Sequence, residues 1–260
     1  MQKAALEGRV TRPPQTQFMI QHSIICLLLL TIGICHAEQD ERADAIIQLK
    51  KIGGHVFEKK GRVVEINLNG NPRADDQLLK LVSQFRELTD LSLEGTNITD
   101  AGIMHLKDLK KLEWLNLYRT NVGDPSLATL STIKSLKHLP IGETNVTDKG
   151  LEHLAGMAQL VYLGFRKNKI SDAGVSKLKN LKVLQGLHLG ETQITDASVQ
   201  HLLNFPKLKK LWLHDTQIGD SSVNLLAQLK SLKFLAVSGT EITPAAIKTL
   251  QTKLPKCEIE

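Results

Sequence analysis

Both tryptophans and both tyrosines of this 260-residue chain, Trp114, Tyr118, Tyr162 and Trp212, fall at positions set by one repeating spacing. His138, Arg166, His188, His214 and Phe234 obey the same spacing. Counted from Leu88 in steps of 24, all nine occupy positions 3, 5 or 7 of successive blocks. Indole and phenol rings offer large contact area with a polar handle, imidazole can donate or accept, and guanidinium presents a planar fork of donors. The chemistry such a set supports is recognition of a protein or peptide, or of a glycan.

A harder chemistry is also conceivable. His188, His214, Glu191 and Asp215 lie in neighbouring blocks beside Trp212, residue types that suit a metal or an acid–base pair. They have no recognised ligand spacing, and the chain carries no Gly-rich phosphate loop, nucleophile elbow or His-Glu-x-x-His motif. The expectation is therefore a set of polar contacts, with no catalytic residue, no metal ligand and no cofactor.

What must position these side chains is a stack of identical units. Blocks of 24 residues begin at Leu88, Leu112, Leu136, Leu160, Leu184, Leu208 and Leu232, with apolar residues at positions 1, 4, 6, 11, 16, 19 and 22, save Lys253 at position 22 of the last. Spacing 1-4-6 is a short strand with alternate residues facing the core, and position 4 is Leu in every block, from Leu91 to Leu235. Spacing 16-19-22 has helical period. Positions 3, 5 and 7 then point to the opposite face of the sheet. On that face Gly142, Gly164, Gly186 and Gly190 are expected to leave backbone bare, between Trp114/Tyr118 on one side and Trp212/Phe234 on the other. At ~4.8 Å per strand, such a groove spans about four strands, or ~20 Å, with Tyr162 and Arg166 rising from its floor. Pro140 removes one donor from a central strand.

Position 13 is Asp in six blocks (Asp100, Asp124, Asp148, Asp172, Asp196 and Asp220), where a helix N-cap is expected. Pro125 follows Asp124 at a first helical turn, and the last block uses Thr243-Pro244 instead. Capping spends the carboxylate oxygens on N–H groups, which argues against a calcium ladder. Lysines recur near the block boundaries, including Lys110, Lys134, Lys182, Lys207, Lys210, Lys230 and Lys233. Their simplest role is to complement helix C-terminal dipoles, the alternative being a basic edge for an acidic polymer or lipid surface.

The pattern LxxLxLxxTxITDxGLxxLxxL over residues 63–260 resembles the leucine-rich repeat family. That resemblance implies an α/β fold, a right-handed curved solenoid with a concave parallel β-sheet and short convex helices. The family's usual Asn at position 9 is matched by Asn168, with Asn71 in a degenerate first repeat, and is otherwise Thr. Blocks of this type behind a signal peptide are typical of exported bacterial proteins, and they are also similar to the repeats of F-box substrate receptors.

Ahead of the repeats, Arg9 and Arg12 precede an apolar run from Ile24 to Ile34, and Cys35-His36-Ala37 gives a small-x-small ending before Glu38. Residues 1–37 therefore read as a signal peptide, starting at Met1 or at Met19, with a retained membrane anchor as the alternative. Residues 38–62 read as a helix and hairpin capping the stack, 63–87 as the degenerate first repeat, and 88 onward as the seven full repeats. Without residues 1–37 the chain keeps 30 basic and 26 acidic residues, a balance too mild to argue for nucleic acid. Only Cys257 of three cysteines lies outside that segment, so the remainder can form no internal disulfide. The function expected is an exported, non-enzymatic recognition module. Alternatives are an intracellular substrate receptor of the F-box kind, for which residues 38–62 are too short to supply an F-box, and a self-associating structural protein of the cell envelope.

Overall fold

The computed structural model describes residues 41–260; the expected signal segment and residues 38–40 lie outside them. The chain divides into a short unit, 1–45, whose described residues 41–45 are helical, and a second unit, 46–260. All that follows concerns the second unit. No helix among the described residues is long and apolar enough to cross a membrane.

The unit is a sheet of ten strands that run in sequence order across it. The strands are β1 (His55–Lys59), β2 (Arg62–Asn67), β3 (Asp90–Ser92), β4 (Trp114–Asn116), β5 (His138–Pro140), β6 (Tyr162–Gly164), β7 (Gly186–His188), β8 (Lys210–Trp212), β9 (Phe234–Ala236) and β10 (Glu258–Ile259). A hairpin pairs β1 with β2 antiparallel, and β2 onward is parallel. Register follows the repeat: Leu91 pairs with Leu115, Leu139 with Leu163, Leu163 with Leu187, and Leu211 with Leu235. Between β4 and β5 pairing shrinks to Trp114 opposite His138, because Pro140 has no N–H to offer β4.

Each strand from β2 to β9 is followed by a turn and a short helical segment that closes the repeat. Positions 4 and 6 of the strand, 11 of the turn and 16 of the helix make one continuous aliphatic core, represented by Leu163, Phe165, Ile170 and Val175, all fully buried. Neighbouring strands sit ~4.8 Å apart whereas a helix with its side chains needs about 10 Å, so the helical side must be the longer arc. The protein narrows that mismatch with single-turn or 3-10 segments such as Met104–Asp108, Leu151–Leu154 and Asp220–Ser222. Pro244–Lys253 is the longest of the helices that follow a strand.

The expectation that the position-13 aspartates cap their own helices is corrected by the structure. The cap is position 12, as where Thr99, Ser171 and Thr195 accept from the N–H two residues on. Asp is instead the first helical residue, except for Asp148, which lies in a turn ahead of Leu151–Leu154, and its carboxylate reaches into the next repeat. There it accepts the N–H of that repeat's position 12, at 2.7–2.9 Å at all seven junctions from Asp76/Thr99 to Asp220/Thr243. The second oxygen takes the hydroxyl of Thr99, Thr147, Thr195 or Thr243. Where position 12 is glycine, at Gly123 and Gly219, Ser126 and Ser222 supply a hydroxyl from the following helical turn. Asp is placed one residue too far along to fold back on its own helix, but its side chain is the right length to span one repeat.

Position 9 works within the repeat. Thr96, Thr120, Thr192 and Thr216 donate their hydroxyls to the position-6 carbonyl, whereas Asn168 is long enough to donate to Ile141 O of the previous repeat. Position 8 carries a cost. Arg119, Glu143, Lys167, Glu191 and Asp215 all hold left-handed φ values between 50 and 58°, where the first and last full repeats use Gly95 and Gly239. A side chain there costs ~1–2 kcal/mol, and glycine's extra freedom when unfolded takes back roughly 0.5–1 kcal/mol. Lys167 is exposed and makes no ion pair among the described residues. Lys167→Gly should therefore raise stability by about 0.5–1 kcal/mol, seen as a higher urea midpoint at unchanged slope. A lower midpoint would mean that the Lys167 side chain contributes more than its backbone strain.

Candidate functional site

Positions 3, 5 and 7 project from the sheet on the side away from the helices. Eight of the nine expected contact residues there are half-buried and Arg166 is exposed. They divide into two groups. Tyr162, His188, Trp212, His214 and Phe234 form one aromatic cluster. The His188 ring stacks on Trp212 at 5.3 Å and 10°, Tyr162 meets Trp212 edge-on at 6.3 Å, and Phe234 lies 5.4 Å from Trp212 on the other side. His214 sets its edge against His188 at 5.1 Å. Trp114, Tyr118, His138 and Arg166 stand outside it. The Tyr118 hydroxyl donates to Glu143, and Arg166 donates to Glu191 at 2.5 Å.

Tyr162 thus joins the wall formed by Trp212 instead of rising alone from a bare floor, and the glycines explain why. Gly142, Gly164, Gly186 and Gly190 are buried, contrary to the expectation of exposed backbone. A Cβ on Gly186 would come within 2.7 Å of the Tyr162 ring, and one on Gly164 within 2.9 Å of its hydroxyl. A Cβ on Gly190 would meet the His214 imidazole at 2.5 Å, and one on Gly142 would meet the Arg166 backbone at 2.7 Å and the Tyr118 ring at 3.1 Å. Each glycine is the place where a neighbouring ring lies down on the sheet. The signal was present in the sequence: Tyr162 and Gly186 share position 3 of adjacent blocks, and Tyr118/Gly142 and Gly190/His214 share position 7.

Two depressions result, with Pro140 and Tyr162 common to both. One, of about 470 Å³, is lined by Trp114, His138, Tyr162, Gly186, Lys209 and Lys210 among others. The second, of about 230 Å³, is lined by Tyr118, Gly142, Gly164, Arg166 and His188. Trp212, His214 and Phe234 line neither and act as the shoulder beside them. The sequence places Lys210 only in the general basic edge. Lys209 donates its ammonium to Gln185, while the Lys210 ammonium has no salt-bridge or hydrogen-bond partner among the described residues. It is left as an exposed, unpaired cation at an aromatic pocket. Most of the other boundary lysines are spoken for: Lys110, Lys134, Lys182 and Lys230 donate to backbone carbonyls, several at helix ends.

Burial drives the electrostatics. His188 is held neutral at ordinary pH, its pKa lowered to about 4 chiefly by desolvation, with His214 and Arg166 adding positive charge nearby. Its Nδ1 accepts the Gly190 N–H at 3.2 Å, which places the remaining proton on Nε2 as a donor beside the smaller depression. Burial raises the Tyr118 phenol and the hydrogen bond to Glu143 raises it further, so it stays a donor. Glu143 is lowered, mainly by that same hydrogen bond. Glu191, His214 and Asp215 also come together, each offering a ligand atom within 4.8 Å of the others.

A family model described as Leucine Rich repeat matches residues 86–107, and the strand–turn–helix unit it covers recurs through the rest of the stack. The repeats are leucine-rich repeats. Solved structures of this fold agree over most of the chain. An internalin (inlF) from Listeria monocytogenes is 26% identical over 75% of this chain, with a TM-score of 0.59, and the present chain spans 60% of its length. A leucine-rich-repeat protein from Leptospira interrogans is 22% identical, covering 70% of this chain and 50% of its own, at a TM-score of 0.52. The leucine-rich-repeat ectodomain of the Arabidopsis thaliana membrane receptor kinase GASSHO1/SCHENGEN3, solved in complex with CASPARIAN STRIP INTEGRITY FACTOR 2, is 18% identical. It covers 79% of this chain and 25% of its own, with a TM-score of 0.54. The last two show the fold alone. No curated protein sequence matches. The leucine-rich-repeat scaffold is one generally used for binding proteins.

Proposed function

We propose that this leucine-rich-repeat protein is an exported, non-enzymatic recognition module whose ligand is a protein segment lying across the strands between Trp114 and Trp212. The observation that carries this reading is the pair of aromatic-lined depressions either side of Tyr162, closed below by glycines and flanked by the unpaired Lys210. Aromatic anchors in concave sites supply much of the energy of protein recognition. The free Lys210 and the Nε2 donor of His188 favour a segment that brings acceptors, such as an acidic or carbonyl-rich stretch. Export rests on the basic, apolar and small-residue sequence of 1–37. That other proteins of this fold include a receptor ectodomain solved with a bound factor supports the use of the scaffold, not the identity of the partner.

The test is capture of a partner from the organism's envelope fraction, with the wild-type chain and a Trp114→Ala/Trp212→Ala variant as baits. Each anchor is expected to cost on the order of 2 kcal/mol or more, enough together to reduce affinity by roughly a thousandfold. The variant should melt within a few degrees of wild type because neither ring sits in the aliphatic core. A partner retained equally by both baits would move recognition off this face.

A further inference from the structure

We propose that Glu191, His214 and Asp215 form a binding site for a divalent cation of the zinc class, at the edge of the sheet face and independent of the protein-binding reading above. The three side chains come from two adjacent repeats, and their ligand atoms lie within 4.8 Å of one another. Position 8 forms a row in which the charges run Arg119, Glu143, Lys167, Glu191 and Asp215: the sign alternates for four rungs and fails at the fifth. Where it alternates, acids have cations to meet. Arg119 approaches Glu143 at 3.7 Å, while Glu191 is met from position 7, where Arg166 holds its Oε1 at 2.5 Å. The Asp215 carboxylate has no salt-bridge or hydrogen-bond partner among the described residues and stands beside a second carboxylate.

Much of the geometry is fixed before any ion arrives. Glu191 N–H donates to His214 O and Asp215 N–H to Ser238 O, both at 2.9 Å, which locks the two left-handed backbones. The His214 ring lies on Gly190, where no Cβ could fit, and is braced by the edge of His188. Arg166 occupies Oε1 of Glu191 and leaves Oε2 for a metal, the arrangement by which an outer partner orients a ligating carboxylate. Zinc–ligand distances of ~2.0–2.2 Å need the three atoms somewhat closer than they stand. Asp215, exposed and unbonded, is the one free to rotate inward. Two carboxylates with an imidazole nitrogen select a late first-row ion over magnesium or calcium, which take oxygen ligands. Three protein ligands leave one tetrahedral position for water.

The test uses the full chain stripped with EDTA and titrated with ZnCl2 by calorimetry, with Co²⁺ visible absorption as a second readout. One ion per chain is expected, and His214→Ala and Asp215→Asn should each weaken binding by about tenfold or more. Neither MgCl2 nor CaCl2 should compete at equal concentration. Equal zinc affinity in wild type and both variants, stronger binding of calcium than zinc, or no saturable binding would each overturn the site. Asp215→Asn changes an exposed side chain with no bond to lose, so it decides the matter if His214→Ala fails to fold.

Discussion

Replacing Leu163 with Asp is expected to leave the protein without a cooperative folded state. Leu163 is fully buried at the centre of β6, in register with Leu139 on one side and Leu187 on the other. Losing the leucine contacts removes about 2–3 kcal/mol of transfer free energy. Burying a carboxylate among aliphatic neighbours, with no cation or donor to meet it, adds several kcal/mol more. Domains of this kind have only about 5–15 kcal/mol in hand. Leu163→Met conserves volume and should cost less than about 1.5 kcal/mol, so the pair separates charge from shape. Far-UV circular dichroism melts would show it. A Leu163→Asp protein that melts as sharply as its parent, within a few degrees, would mean that position 4 does not face the core.

Acid is expected to weaken the fold well before the carboxylates are protonated. His188 has an ordinary pKa of 6.5 when unfolded and about 4 when folded, so the folded state resists protonation. Its contribution is complete above pH 6.5 and is lost as the pH falls towards 4, because the unfolded chain takes up the proton first. The loss amounts to about 2–3 kcal/mol, after allowing for the part of the ring that water reaches. A second loss follows at lower pH. Asp172 and Asp196 are lowered: burial works to raise them, but hydrogen bonds from Ser198 and Thr195 to the first, and from Ser221, Ser222 and Gly219 to the second, outweigh it. A depressed acid stabilises above its unfolded pKa and ceases to do so as it is protonated. Urea midpoints from pH 7 to pH 4, taken in EDTA, should fall for the wild type and stay nearly level for His188→Phe until the carboxylates titrate. A wild-type midpoint that does not move above pH 4.5 would contradict the neutral, desolvated His188.

The core was legible because it obeys one period: a leucine at position 4 of every block can only be the inward residue of a strand stacked on its like. The placement of Trp114, Tyr162 and Trp212 on the opposite face follows from the same alternation. What the period does not encode is which way a side chain leans. Tyr162 lies toward β7 and meets Trp212, so one of the expected floor residues belongs to a wall. Asp at position 13 looked like a cap because local spacing describes contacts within a helix, while its partner is 23 residues further on. Left-handed position 8 carried no warning, since its five central residues are charged and only Gly95 and Gly239 advertise the conformation. The meeting of Glu191 with His214 and Asp215 needs both the register of adjacent strands and that unusual backbone.

The aspartate bridge also bears on how such a chain can change its length. Each repeat but the last, where Pro244 takes the place, carries one half of a joint, a carboxylate at its position 13, and the next repeat presents the complementary half, an N–H at position 12 with a hydroxyl from position 12 or 15. Because a position-12 N–H meets a position-13 carboxylate at every junction from Asp76 to Asp220, duplicating or deleting 24 residues in frame within that stretch rejoins this bond at the new seam. An insertion out of frame leaves a carboxylate without its donor on one side and an orphaned N–H on the other. The gene is thus free to lengthen or shorten in whole units, each new copy arriving with its fastening already made, while the residues at positions 3, 5 and 7 remain free to diverge.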